Sequence, residues 1–235
     1  MTLAGTVVNT TIKSLTHIFC RVEDSQLANV PDRGPLILVC NHVNFLEVPL
    51  VYTHLMPRPL TGLAKVETWD NPALRPLFNL WGAIPIRRGE ADIEAVRLSL
   101  AALKSGQIVA LAPEGTRSGH GRLQRGHPGV VVIALRSGAP LLPVVYYGGE
   151  AFLDNIKRLR RTNFHIAVGK PFRLITNGKK ITQSVRQQMT DEIMYQLAAL
   201  LPPPYRGYYS DLSNATEDFL QFDSLSTTNL EHVVV

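Results

Sequence analysis

A histidine at position 42 and a glutamate at position 47 stand just beyond the apolar run Ile37, Leu38, Val39, Cys40, in the stretch ILVCNHVNFLEVPL. A neutral imidazole, with an ordinary pKa of about 6.5, can accept a proton near pH 7. An alcohol attacks a carbonyl well only once a base takes its proton. A carboxylate on the other ring nitrogen would fix the imidazole tautomer and stabilise the imidazolium that forms. His42 therefore reads as a candidate general base and Glu47 as the group that orients it. Their separation is about one and a half helical turns, so a tight turn leading into a helix has to bring them together. Taken alone, the pattern is more often an ordinary loop histidine with a solvated glutamate nearby.

Three further segments change that weighing. GAIPIRRG, residues 82–89, puts Arg87 and Arg88 at the end of an apolar run. LAPEGTRS, residues 111–118, puts Glu114, Gly115, Thr116 and Arg117 at the end of another, and APLLPVVYYG, residues 139–148, holds Pro143 inside a third. Ends of parallel strands collect on one edge of a sheet, where ligands bind. Arginine there suits bidentate contact with a phosphate, and Gly115 would let backbone approach a ligand. Each piece has a plainer reading: Arg88 as a surface residue, Glu114 as a cap or ion-pair partner, Pro143 as a strand end. Their joint order and spacing are harder to dismiss.

The elements that must position these residues can be read from periodicity. Runs at 35–40, 82–86, 107–112, 140–147 and 164–168 look like strands. Residues 92–105 look like a helix stopped by Gly106, and 127–137 and 182–201 like two more. Alternation of strand and helix gives an α/β class with a central, mostly parallel sheet flanked by helices. Leu3, Val7, Val8, Ile12, Leu15, Ile18 and Phe19 form one stripe of an N-terminal amphipathic helix. That stripe either packs on the core or lies in a membrane interface. The expected organisation is a helix and lead-in over 1–29, one domain over 30–207 and, after LPPPYRG, an acidic disordered tail over 208–235.

Composition narrows the partners. The chain has 235 residues, 45% of them apolar, enough for one core. Net charge is +5, but five acidic residues lie beyond the last basic one, Arg206, so residues 1–210 carry +10. A basic body points to an anionic partner. With aromatic content at 7% and no basic-aromatic interleaving, nucleic acid is not expected. Cys20 and Cys40 form no paired motif, which fits a reducing compartment. With no uncharged apolar stretch of spanning length and no signal-peptide pattern, the expectation is a cytoplasmic protein, peripheral on the inner face of the membrane. The basic run KRLRR, with Lys157, Arg158, Arg160 and Arg161, is a second candidate for contact with an anionic surface.

Together the four segments resemble the glycerolipid acyltransferase family, the glycerol-3-phosphate and 1-acylglycerol-3-phosphate acyltransferases and their relatives, over roughly residues 30–207. NHVNFLE is similar to the family's His-x4-Asp motif, with Glu47 in place of Asp. GAIPIRR is similar to its Gly-x-Ile-x-Ile-x-Arg motif, which makes Arg88 the motif arginine. APEGTRS is similar to its Phe-Pro-Glu-Gly-Thr-Arg-Ser motif, with Ala112 replacing the aromatic, and PLLPV to its strand proline. LAKVETW resembles another family segment, with Lys65 where a basic residue is usual.

The resemblance implies that His42 is the base and Glu47 its partner. Arg88, Glu114, Gly115 and Arg117 would hold the acceptor's glycerol phosphate, Thr116 and Lys65 would belong to the same binding site, and Pro143 would line the acyl-donor side. It implies direct transfer from a thioester of coenzyme A or acyl carrier protein to an acceptor hydroxyl, with no cofactor or metal in the reaction. Because Glu is one methylene longer than Asp, an adjusted turn between 42 and 47 is expected. Two competing readings are an acyl thioester hydrolase, with Cys40 sharing a strand face with His42, and a non-catalytic lipid-phosphate binding protein.

Overall fold

The computed structural model describes residues 3–89, 92–223 and 228–232. In chain order the elements are α1 (Leu3–Phe19), β1 (Cys20–Glu23), β2 (Leu36–Cys40), α2 (Glu47–His54), β3 (Leu60–Lys65), α3 (Arg75–Leu80), β4 (Ile84–Ile86) and α4 (Ile93–Lys104). They continue with β5 (Ile108–Leu111), α5 (Gly129–Ser137), β6 (Leu141–Tyr147), α6 (Phe152–Lys157), β7 (Thr162–Val168), β8 (Phe172–Leu174), α7 (Gln183–Leu200) and β9 (Leu220–Phe222).

The main path of the sheet runs β1-β7-β6-β2-β5-β3-β4. From β6 to β4 every pairing is parallel; β7 joins β6 antiparallel, and β1 joins β7 parallel. The fold is thus α/β with a mostly parallel central sheet flanked by helices. Side chains of a strand alternate between faces, and the two cores follow that alternation. Ile37, Val39, Val109, Leu111, Leu141 and Val145 pack with α4, α5 and α7 on one face. Leu36, Leu38, Ile108, Leu142, Val144 and Tyr146 pack with α2 and α6 on the other. Both faces of β2 are covered, which explains its unbroken apolar run.

The expected boundaries shift at both ends. Cys20–Glu23 pairs with β7 along the sheet's edge, so the folded unit begins before residue 30. The expected disordered tail is a correction for its described residues. Leu220–Phe222 forms β9, antiparallel to β8, and Tyr209 and Phe219 are buried. Polar groups of the tail also find partners: buried Glu192 on α7 accepts hydrogen bonds from the backbones of Asp218 and Phe219. The acidic composition is real, but a few apolar anchors outweigh it. The remainder of that expectation, at 224–227 and 233–235, lies outside the described residues.

The N-terminal helix forms as expected, with its apolar stripe turned outward rather than onto the core. Its buried positions are Gly5, Asn9 and Thr16. Leu3, Val7, Leu15, Ile18 and Phe19 are exposed. Asn9 accepts a hydrogen bond of 2.8 Å from the indole of Trp81, so a polar contact docks the helix.

Candidate active site

The site lies where β2, β5, β3 and β4 end together. Asn41 follows β2 and extends its pairing with β6: its side chain donates to Tyr146 O and accepts from Tyr146 N, both at 2.8 Å. This amide serves the ladder rather than the turn, and it fixes where the chain leaves the sheet. Asn44 then builds the turn, accepting from Leu46 N at 2.8 Å and donating to Gly149 O at 2.7 Å. Glu47 opens α2, and both its oxygens accept from Asn44 N, at 3.1 and 3.0 Å. A carboxylate is also favoured at a helix N-terminus by the helix dipole.

That turn brings Glu47 Oε2 to 3.1 Å from His42 Nδ1. Glu47 is buried, while the His42 side chain is 13% exposed. Since an ionised carboxylate only accepts, Nδ1 carries the proton and Nε2 is left with a lone pair. Among the described residues, the ring makes its hydrogen bond through Nδ1 and none through Nε2. The turn that brings the glutamate within reach is the Asn44 turn, which seats the carboxylate at the first residue of α2.

Glu114 is placed differently from its expected role at the acceptor's glycerol phosphate. It is buried, and its two oxygens accept from His42 N and Gln124 N, each at 2.9 Å. Burial, opposed by these hydrogen bonds, raises its pKa to about 7. Glu114 therefore braces the loop after β5 against the backbone of His42. Ser118 N and Gly119 N donate to the carbonyls of His42 and Val43, each at 2.8 Å, and complete the brace. Gly115 turns the loop with φ +68°, and a Cβ there would press on the His127 ring at 3.2 Å. Thr116 and Arg117 follow it into solvent.

Lys65, Arg88 and Arg117 supply the positive side. Lys65 is exposed at the end of β3, in register with Ile86 two residues before Arg88. Asp92 caps α4 through Ala95 N and also accepts from Arg87 N at 2.8 Å, which fixes the chain that presents Arg88. Partial desolvation, then the nearby Arg117 guanidinium, lowers the Arg88 pKa, with Glu67 opposing. Neither arginine forms an ion pair among the described residues. Two guanidiniums near each other, neither of them ion-paired, make a ready site for a phosphate.

Pro143 is a correction, whereas Cys40 is placed against the competing hydrolase reading. Pro143 is buried in mid-strand, paired with Val39 and close behind Gly169, so it lines no open surface. The Cys40 thiol donates to Leu111 O at 3.6 Å. Burial, with Glu47 and then Glu114 nearby, pushes its pKa far above the ordinary thiol range. A thiol held protonated is a poor nucleophile.

Sequence reasoning missed Glu150. It follows Gly149, whose carbonyl holds Asn44, and it accepts from Tyr205 OH at 2.7 Å. Its other oxygen is buried beside Gly121 without a partner. A glutamate after GG carries no signal by spacing alone.

The family model for acyltransferases matches residues 6–147, more than half of the chain. The protein belongs to the acyltransferase family. It is similar to a Bacillus subtilis protein named 1-acyl-sn-glycerol-3-phosphate acyltransferase, at 26% identity over 61% of this chain and 69% of that one. It is also similar to a Pseudomonas aeruginosa protein named lyso-ornithine lipid O-acyltransferase, at 29% identity over 59% of this chain and 60% of that one. A chloroplast relative from Arabidopsis thaliana, named 1-acyl-sn-glycerol-3-phosphate acyltransferase, is 25% identical, with 44% of its length matched. The chain thus spans less than two thirds of the last two. Among solved structures, the lysophosphatidate acyltransferase of Thermotoga maritima shares the fold, with a TM-score of 0.59 at 23% identity over 81% of this chain and 78% of that one.

Proposed function

We propose that the protein transfers a fatty acyl group from an acyl thioester, carried by coenzyme A or acyl carrier protein, to the hydroxyl of a phosphorylated lysoglycerolipid, 1-acylglycerol 3-phosphate being favoured. The observation that carries this reading is the His42–Glu47 pair, with its second ring nitrogen unbonded, beside the basic group of Lys65, Arg88 and Arg117. His42 Nε2 takes the hydroxyl proton as the oxygen attacks the thioester carbon. The tetrahedral intermediate then expels the thiolate, which recovers that proton from His42. Glu47 holds Nδ1–H and stabilises the imidazolium in between. The arginines bind the acceptor's phosphate. Glu114 positions His42 through its backbone.

The reaction takes place, in this reading, against an anionic membrane surface on the inner face of the membrane. Among the described residues no helix is long and apolar enough to cross a membrane. The outward stripe of α1 supports contact with lipid instead. The run 157–161 supports it less than its charge suggests. Lys157 pairs with Asp154 at 3.6 Å, and Arg161 turns inward to the carbonyls of His17 and Cys20 at 2.6 and 2.7 Å. Arg158 and Arg160 remain, flanking Leu159, which is 97% exposed.

The test is a mass-spectrometric screen of lysolipid acceptors, phosphorylated and not, with both donor types, on wild type and His42→Ala. Acylated product from a phosphorylated acceptor is expected, reduced at least about 100-fold in the variant. Release of free fatty acid without any acylated lipid would favour a hydrolase, and an active His42→Ala would end the mechanism.

A further inference from the structure

Away from the sheet edge, the last turn of α1, the turn after β1 and the last turn of α2 meet. They bring together His17, Asp24 and His54, each offering one ligand atom, and these atoms all lie within 4.8 Å of one another. We propose that the three residues bind a divalent cation of the zinc class, which fastens α1 to the helix that begins with Glu47.

The observation behind this is an unmet polar atom. The His54 side chain is 0% exposed. Its Nδ1 lies 3.1 Å from Leu50 O, which only accepts, and 3.2 Å from Thr53 Oγ1, whose own proton goes to Pro49 O at 2.7 Å, so Nδ1 carries the proton and Nε2 carries a lone pair. Nε2 is buried and has no hydrogen-bond partner. Asp24 Oδ2, at 3.9 Å, is too far for one and has no proton to give when ionised. The His17 ring stands over the gap, its centroid 5.1 Å from that of His54. A lone pair with no donor, a carboxylate and a second imidazole facing one point fit a positive ion better than they fit one another.

The ligand set selects the class of ion. Two imidazoles and one carboxylate suit zinc, with a water in the fourth position, whereas magnesium and calcium prefer oxygen ligands. Bonds to zinc of about 2.1 Å place tetrahedral ligand atoms about 3.4 Å apart. The group therefore has to close by up to about 1.4 Å from its 4.8 Å spread, and the exposed His17 and half-exposed Asp24 are the side chains with room to turn. The bond from His54 Nδ1–H to a backbone carbonyl is the outer support that metal-bound histidines usually have. Lys13, one turn before His17, lies close enough for its charge to be felt at His54. It opposes a cation, so it limits affinity and offers a test of sign. The Arg161 bond to the His17 carbonyl holds the same turn of α1 from the outside.

The inference is independent of the proposed acyl transfer, because it is read without substrate. The full chain, prepared without a polyhistidine tag, is titrated with zinc ions alone by calorimetry. Cobalt(II) is then added separately to read its ligand-field absorption. One zinc per chain, a four-coordinate cobalt spectrum and a melting temperature raised by roughly 5 °C in excess zinc are expected. His17→Ala, at an exposed position that leaves packing intact, should weaken zinc binding about 100-fold or more. Lys13→Gln should tighten it. His165→Ala, which removes a separate imidazole lying 2.8 Å from Glu23, should leave it unchanged. No saturable binding in excess zinc, or binding unaltered by His17→Ala, overturns the proposal.

Discussion

Helices α1 and α2 pack against each other, yet they are built on opposite rules. In α2 almost everything is inside: Glu47, Leu50, Val51, Tyr52, Thr53 and His54 are all buried. Its charged first residue is tied to His42 and Asn44, and its apolar residues fill the core under β2. In α1 only a glycine, an asparagine and a threonine are buried, and the apolar side faces out. The site needs a frame that does not move, because a displacement of about 1 Å can cost on the order of 100-fold in rate. A lipid contact needs apolar area left uncovered. One pair of neighbouring helices thus divides a packed frame from an apolar face left open.

The contrast should show most strongly in stability. Leu50→Ala in α2 is expected to cost about 2–5 kcal/mol in urea unfolding, as a cavity in the core. Loss near zero would mean that α2 is not the rigid member of the pair.

The frame around His42 should next reveal itself through pH. The Glu114 pKa is raised from 4.5 to about 7 in the folded chain. Between those values the folded state holds a proton that the unfolded chain releases. Stability from this group is therefore complete below about pH 4.5 and declines as pH rises through 7, by about 3 kcal/mol in all. Glu192, raised by burial as well, adds a slope of the same sign. The difference between wild type and Glu114→Gln across pH 4.5–8 isolates the Glu114 share, and parallel curves would refute it.

A smaller effect concerns the length of the orienting side chain. The Asn44 turn is fitted to glutamate, so Glu47→Asp should lower kcat by roughly 10- to 100-fold with little change in KM. Restored or improved turnover would show that the turn adapts to either residue.

The smallest change in stability, within about 0.5 kcal/mol, is expected for Leu15→Asp with Ile18→Asp on α1, since both side chains are exposed. The same double variant should lose most co-sedimentation with anionic vesicles at high salt. Retained binding would move the lipid contact elsewhere on the surface.

Much of this was legible before folding was considered. The strands at 36–40, 108–111 and 141–147 announced themselves because burial on both faces forces unbroken apolar runs. His42, Glu47, Arg88 and Arg117 were legible because strand ends of a parallel sheet converge. Other elements carried no such mark. Glu47–His54 contains Pro49 and the β-branched Val48, Val51 and Thr53, which weaken a helical pattern; packing rather than propensity makes it a helix. The proline falls in the first turn, where its missing N–H costs nothing. Cys20–Glu23 is too short to show alternation. Residues 208–222 read as disordered because their charge and serine content hide the few residues, Tyr209, Phe219 and Leu220, that anchor them. The bracing role of Glu114 was not legible because a carboxylate bound by two backbone amides looks, in sequence, like any other carboxylate in a loop.

The inverted packing of α1 also fixes how its sequence is free to drift. In an ordinary surface helix, apolar positions resist change and the polar face varies. Here Gly5, Asn9 and Thr16 touch the protein, and Asn9 has a specific partner in Trp81. Across homologous chains these three sites should be the restricted ones. The outward sites at 3, 7, 15 and 18 should interchange freely among leucine, isoleucine, valine and phenylalanine, because an exposed side chain has no fixed cavity to match where a core side chain does.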